Sequence, residues 1–189
     1  MKVRDSGMPE EILWSSFFNV RNILSVMQVD HSVLNLMETG CGYGTFTIEA
    51  AKRISGKLYA FDIEPEMVNV AHDKAIKGNI ANVEFFIRDI IADRSGLPSE
   101  SMDYVMLFNI LHHENPLDLL AEAYFVLKKG GKAAIIHWRS DIETPRGPAL
   151  SIRPTPEQCV EWSLQSGFEI ALTPVILAPF HFGLIIRKL

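Results

Sequence analysis

Cysteine is scarce in this sequence. Cys41 and Cys159 are the two in 189 residues, far apart and in none of the Cys or Cys/His spacings that hold structural zinc. A disulfide framework and a zinc-built fold are excluded, and a reducing, cytoplasmic setting with no metal is expected. A basic run is missing too. The 18 Lys and Arg are scattered among 23 Asp and Glu, for a net charge of -5. The concentrated positive charge that supplies affinity for a phosphate backbone is absent, so nucleic acid is not an expected partner. The longest uncharged stretch, residues 171–186, is shorter than a membrane helix needs, and Pro174, Pro179 and Gly183 interrupt it. It reads as two buried strands, and no membrane insertion is expected. Charges at Lys2, Arg4, Asp5, Glu10, Glu11 and Arg21 leave residues 1–30 without the pattern of an export signal.

What is present, 48% hydrophobic and 22% charged residues, is the profile of one globular domain. A chain this long can bury about 70% of its open surface and needs no cross-links to do so. From Val33 onward short apolar runs alternate with helical patterns, the signature of an α/β fold on a largely parallel sheet. Strands are expected at 33–37, 57–61, 83–87, 104–108, 133–137, 169–172 and 184–187. Helices are expected to open near Thr45 and at Pro65, Pro116 and Pro156. Gly78 should supply a left-handed stop, Gly130-Gly131 should close the Pro116 helix, and Thr155 and Gln158 are placed for a capping box. The apolar face of the Pro156 helix reads as Val160 with Leu164. Leu13, Phe17, Val20, Leu24 and Met27 repeat at helical spacing, predicting one amphipathic helix over 9–28 laid on the domain. Trp14 and Phe18 fall off that stripe and pack, roof a pocket or meet a second copy. The expected organisation is an N-terminal segment 1–30 and a single domain 31–189 with an irregular loop at 138–154.

The stretch that carries chemistry is an apolar strand followed by Glu38-Thr39-Gly40-Cys41-Gly42-Tyr43-Gly44 and a helix. Glycines allow a sharp turn and close backbone approach to a ligand, and the helix start presents free amides. A dinucleotide fingerprint needs its third glycine at position 45, which is Thr; here it is Gly44. Glu38 would repel a pyrophosphate and hold an ammonium group. The second strand ends in Asp62, where a carboxylate can accept from both hydroxyls of a ribose.

At these residues the sequence resembles the class I S-adenosylmethionine-dependent methyltransferases, in particular the small ubiquinone/menaquinone-methyltransferase-like members, over nearly everything after Asp30. Glu38 to Gly44 looks like their first motif, and Phe61-Asp62-Ile63-Glu64-Pro65-Glu66-Met67 like their ribose-binding motif. Arg88-Asp89-Ile90 corresponds to their adenine-contacting acid and its apolar neighbour. The segment from Asp103 through Asn109 to His113 is similar to their fourth strand and following turn, and Leu127-Lys128-Lys129-Gly130-Gly131 to the element before strand five. Lys129 stands where the family usually has Pro, and Thr39 where it has an apolar residue. The resemblance implies a Rossmann-like doubly wound seven-stranded sheet, mostly parallel, with an antiparallel strand near the C-terminus. It implies S-adenosylmethionine as cofactor, held by Glu38, Thr39, Gly40, Gly42, Asp62, Ile63, Asp89, Ile90 and Asn109, and a methyltransferase acting on a small-molecule acceptor as a monomer or homodimer.

The cofactor activates its own methyl, so the protein mainly positions, and a general base is needed only for an acceptor that arrives protonated. His113 is the candidate base, with His137 also expected near the substrate; the alternative is that His112, His113 and His137 only hydrogen-bond at strand ends. The turn Asn109-Ile110-Leu111-His112 lacks the Asn-Pro-Pro-aromatic sequence of adenine-N6 and glutamine methyltransferases. Arg139, Arg146 and Arg153 lie in the loop that in this family often covers the substrate, where an arginine can pair with a carboxylate or phosphate or simply be solvated. Two other readings stay open. One is an NAD(P)-dependent oxidoreductase, for which Tyr124 and Lys128 match a Tyr-x-x-x-Lys dyad; the other is a catalytically silent methyltransferase-like binding protein.

Overall fold

A computed structural model of the chain describes residues 10–189. Alternation along the strands divides the core in two. Leu36, Leu58, Met106 and Ile136 face one layer, with helices α2 (Val20–Val26) and α3 (Thr47–Ala51) over them. Their chain neighbours Met37, Val105, Leu107 and Ile135 face the other layer, under α5 (Ile90–Asp93), α6 (Pro116–Val126) and α7 (Pro156–Gln165). Strands buried on both faces are the reason the sequence shows apolar runs in place of polar/apolar alternation.

The strands are β1 (Asn35–Thr39), β2 (Lys57–Asp62), β3 (Val83–Ile87), β4 (Met102–Phe108), β5 (Leu127–Trp138), β6 (Phe168–Leu177) and β7 (His181–Lys188). Their order is β3-β2-β1-β4-β5-β7-β6. β1 to β5 pair in parallel, and β7 runs antiparallel to both β5 and β6. The expected doubly wound, mostly parallel seven-stranded sheet with its antiparallel strand near the C-terminus is what the chain forms. The order reverses between β1 and β4, so a crevice opens outside the carboxyl ends of these strands.

Local signals place the helices. α4 (Pro65–Lys77) and α6 begin on proline, and α7 has both hydrogen bonds of the Thr155/Gln158 capping box. Three helical expectations need correction. Gly78 has φ -85°, and the left-handed residue is Asn79 at φ 53°, a residue type whose short polar side chain tolerates that region. Leu127 passes directly from α6 into β5, so the two glycines lie within the strand. The buried face of α7 is Cys159 with Ser163, whose hydroxyl donates to Cys159 O at 2.6 Å, and Leu164 points outward.

The N-terminal helix expected over 9–28 is two helices, α1 (Glu11–Ser15) and α2; residue 9 lies outside the described residues. Ser15 and Ser16 turn their hydroxyls back to Ile12 O and Leu13 O at 3.0 and 2.7 Å, and Asn19 caps α2 by accepting from Asn22 N at 3.2 Å. Such side-chain bonds compete with the helical ladder and favour a break. Phe17 and Phe18 in the link are buried, and Leu13 is left exposed. Leu24, fully buried, anchors α2 to the sheet. Leu24→Ala is therefore expected to lower unfolding stability by about 2–5 kcal/mol, measured by urea denaturation.

Candidate active site

The carboxyl ends of β1 to β5 meet at one cavity of about 370 Å³, whose wall includes Gly40, Asp62, Asp89, Asn109 and Trp138. A smaller recess beside it is lined by Glu38, Gly42 and Thr45. The glycine loop is fixed by the end of β2. Gly40 N and Cys41 N both donate to Phe61 O, at 2.8 and 2.9 Å, and Gly42 N donates to Asp62 Oδ2 at 2.8 Å. Glu64 N donates to Asp62 Oδ1 at 3.0 Å, so backbone amides hold both carboxylate oxygens at the cavity edge. Burial nonetheless raises the Asp62 pKa above the usual carboxylate value, opposed by those amides. At Gly40, φ is 77° and a Cβ would meet Ile110 Cγ2 at 2.8 Å, so a side chain there is both strained and obstructed.

Glu38 is 2% exposed. Burial pushes its pKa up to about 8; the Thr47 hydroxyl, donating to Oε2 at 2.5 Å, opposes the shift, and Asp62 adds to it. Asn109 occupies the left-handed region at φ 59°, and its Oδ1, like Thr39 Oγ1, is buried without a hydrogen-bond partner. Buried polar atoms are normally satisfied, and orphans aimed at a cleft mark where a ligand completes them. Asp89 accepts from Ile91 N and Ala92 N and caps α5; Ile90 is buried behind it, and Ile63 exposes an apolar side chain to the cavity. Seven of the nine expected cofactor residues line the larger cavity, and Glu38 and Gly42 line the smaller recess, which shares Gly40 and Asn109 with it. A carboxylate for a diol, a buried acid and two orphan acceptors for an ammonium group, and an apolar surface for a base are the donor set S-adenosylmethionine requires.

The expected acceptor side needs more revision. His112 and His113 both line the cavity, because they sit on a turn closed by His113 N to Ile110 O at 3.2 Å and not on extended chain. His137 is fully buried behind His112. Arg153 is 8% exposed and is a loop clamp: its guanidinium donates to Pro148 O, Arg139 O, Thr144 Oγ1 and Arg146 O. Arg139 makes a two-pronged pair with Asp141. Of the three arginines Arg146 alone lines the cavity. Gly147 beside it lies so close to Trp138 that a Cβ would fall 2.9 Å from the indole. Trp14 on α1 roofs both recesses, a role that depends on the helix break. α1 is held in part by Lys74, which donates to Tyr43 O at 2.6 Å and pairs with Glu11.

Cys41 is buried, and its thiol pKa is pushed up by that burial and by Glu38 and Asp62, as suits a packing residue. Tyr124 packs on Phe168 and Lys128 pairs with Asp103 at 2.7 Å, so neither member of the oxidoreductase-like dyad reaches the cavity wall. Among the described residues there is no cluster of three or more His, Cys, Asp or Glu that could hold a metal, and no helix long and apolar enough to cross a membrane.

Burial shapes the pH dependence of stability in opposite senses. It depresses His112 from 6.5 to about 4, and His137 and His181 to about 3, so their contribution is complete above 6.5 and is lost as pH falls through the folded values. Glu38 is raised from 4.5 to about 8, so its contribution is complete below 4.5 and is lost as pH rises through 8. Apparent Tm is expected to peak near pH 6.5. His181, with both ring nitrogens unpartnered between Phe18 and Trp138, should tolerate His181→Phe at neutral pH with a shallower acid limb, whereas Glu38→Gln should flatten the alkaline limb. Thermal melts from pH 4 to 9 check both.

A family model described as a methyltransferase domain matches residues 36–131, half of the chain. Among curated proteins, ribosomal protein L11 methyltransferase of Neisseria meningitidis is 33% identical over 102 residues, covering 53% of this chain and 31% of the relative. Demethylmenaquinone methyltransferase of Listeria monocytogenes is 28% identical over 119 residues, covering 61% and 49%. A 23S rRNA uracil methyltransferase of Alcanivorax borkumensis is 40% identical over 67 residues, covering 35% and 14%. The chain thus spans less than half the length of these curated relatives. Among solved structures, a SAM-dependent methyltransferase from Aquifex aeolicus superposes with TM-score 0.82 at 24% identity, covering 92% of this chain and 91% of that one. The cyclase SpnF gives 0.76 at 16% identity, covering 99% and 86%. With the matching family model, the sheet order and the residues at its switch point, the chain belongs to the methyltransferase-domain family, within the class I S-adenosylmethionine-dependent methyltransferases.

Proposed function

We propose that this protein binds S-adenosylmethionine through Glu38, Thr39, Gly40, Gly42, Asp62, Ile63, Asp89, Ile90 and Asn109 and methylates a small-molecule acceptor. The observation that carries the reading is the placement of Asp62 and Glu38 in two adjoining recesses at the β1/β4 switch point, with the unpartnered Asn109 Oδ1 on the wall between them. When bound, the cofactor supplies an activated methyl group to an acceptor lone pair and keeps the sulfur–carbon electron pair as its leaving group. The protein's part is positional. Asp62 accepts from the ribose hydroxyls, the β1 end with Glu38 and Asn109 receives the amino-acid portion, and Ile63 and Ile90 flank the base near Asp89. Trp14, Phe108 and Trp138 line the cavity with apolar surface.

A small acceptor is favoured by a cavity of ligand dimensions under Trp14 and by the net charge of -5, and the name of the Listeria relative points the same way. Two other relatives are named for rRNA and a ribosomal protein, but the shared segments cover 35% and 53% of this chain. A cytoplasmic setting fits the two free, buried thiols.

Calorimetric titration with S-adenosylhomocysteine should give saturable binding, weakened about a hundredfold or more by Asp62→Ala, which removes two charge-assisted hydrogen bonds. Because Glu38 must lose its proton to meet an ammonium group, affinity should rise with pH up to about 8 and level off above it, with proton release at pH 7. Glu38→Gln should abolish that dependence. Absence of binding, or saturable NAD binding in its place, overturns the reading; binding without turnover of any acceptor leaves the silent-module alternative standing.

A further inference from the structure

From the direction of one buried hydrogen-bond chain, we infer that His112 Nε2 is the proton-accepting atom of the site, that His137 is its positioning residue, and that the acceptor is a phenolic or enolic hydroxyl compound. This rests on the proposed function and names its substrate class. The chain begins at Trp138 O, a carbonyl that can only accept. His137 Nδ1 lies 3.2 Å from it and therefore carries a hydrogen. The neutral ring then has an unprotonated Nε2, and His112 Nδ1, 3.1 Å away, must donate to it. His112 is thereby fixed as the Nδ1–H tautomer, leaving the lone pair on Nε2 in a side chain that lines the cavity. Its position behind His112, fully buried, gives His137 no other outlet.

His113 is set the opposite way. Asn115 N donates to His113 Nδ1 at 3.1 Å, so the hydrogen of the neutral ring is on Nε2. Of the two histidines that line the cavity, His112 thus keeps a free acceptor atom and His113 a free donor, and the base expected at His113 moves to its neighbour. The groups that act on the His112 charge are His113 on its own turn and Arg153 of the loop after β5, His137 of β5 is its hydrogen-bond partner, and Asp62, Glu64, Arg88, Asp89 and Arg146 lie elsewhere on the cavity wall. Burial, with the charges of His113 and Arg153, holds the His112 pKa down to about 4, so the ring is neutral and its lone pair is available near pH 7. A neutral imidazole acceptor is of use to a nucleophile that arrives with a proton. Trp14, Phe108 and Trp138 in the wall favour a flat ring bearing that hydroxyl. In the step, the acceptor O–H bond breaks heterolytically. The proton goes to His112 Nε2, the electron pair stays on oxygen for attack on the methyl carbon, and the resulting imidazolium keeps its Nδ1–H bond to His137 before releasing the proton to solvent.

The test uses the whole protein with ¹⁵N-labelled histidine. Long-range ¹H–¹⁵N spectra should show His112 and His137 as Nδ1–H tautomers and His113 as the Nε2–H tautomer; an Nε2–H tautomer at His112 overturns the inference. Titration of the S-adenosylhomocysteine-loaded protein with phenol should move the His112 Nε2 resonance, and titration with anisole, which has no proton to donate, should not. His112→Asn retains an Nδ2 donor for His137 and removes the Nε2 acceptor. It should weaken phenol binding about tenfold and leave anisole and S-adenosylhomocysteine binding unchanged. His113→Asn, which keeps an acceptor for Asn115 N, should leave the His112 tautomer as it is. Equal responses to phenol and anisole, or unchanged phenol affinity in His112→Asn, sink the inference while S-adenosylhomocysteine binding still supports the proposed function. Failure of the wild type to bind S-adenosylhomocysteine sinks that reading first.

Discussion

The closure of the glycine loop onto the end of β2 is the interaction on which the site depends. Three consecutive amides, of Gly40, Cys41 and Gly42, are satisfied by two acceptors, Phe61 O and the Asp62 carboxylate. A loop that turns through φ 77° at Gly40 and 50° at Gly42 has no regular ladder to satisfy these groups, and leaving them buried and unpaired would cost about 1–3 kcal/mol each. Asp62 therefore has two tasks. Oδ2 holds the loop, Oδ1 holds Glu64 N, and the carboxylate lines the cavity. The protein's own hydrogen bonds orient this carboxylate, so little side-chain freedom is left to be lost when a ligand arrives.

That Asp62 also holds the loop was not legible in the sequence, but the glycine loop and Asp62 themselves were, because both are local and sit at a fixed distance along a βαβ unit. The same holds for the Thr155/Gln158 capping box and for β3, whose bounds match expectation residue for residue. What was not legible depended on tertiary anchoring. The stripe from Leu13 to Met27 has helical period throughout, yet burial of Phe17 and Phe18 against Trp138 and Phe46 outweighs continuity where serine hydroxyls already weaken the ladder. Periodicity put Trp14 off the stripe and left roofing a pocket as one of three roles; the cavity wall it joins is formed by tertiary packing. On α7, periodicity made Leu164 a core residue, whereas the helix is rotated so that Cys159 and Ser163 are buried, Val160 and Trp162 pack at the edge and Leu164 is exposed.

Polar residues near the cavity were harder still, because residue type does not show which partner takes which hydrogen. Three arginines in one loop look equivalent in sequence; four acceptors converge on Arg153, an aspartate two residues away neutralises Arg139, and Arg146 is left at the cavity wall. Adjacent His112 and His113 are chemically identical in sequence, and a carbonyl on β5 and an amide on the following turn make one an acceptor and the other a donor.

Burial acts on both ends of the cleft by the same rule and with opposite sign. It raises Glu38 to about 8 and lowers His112 to about 4, and each shift favours the uncharged form near pH 7. The deepest walls of the protein are therefore held close to neutral, which avoids the several kcal/mol that an unpaired buried ion would cost. Charge then enters in compensated pairs. In the proposed reaction an ammonium group gives Glu38 a reason to ionise, and an acidic hydroxyl gives His112 a proton as the oxygen becomes nucleophilic. An ionised carboxylate or an imidazolium preinstalled at either end would have to be stabilised by the fold alone. A site that acquires these charges only with its ligands is stable without them.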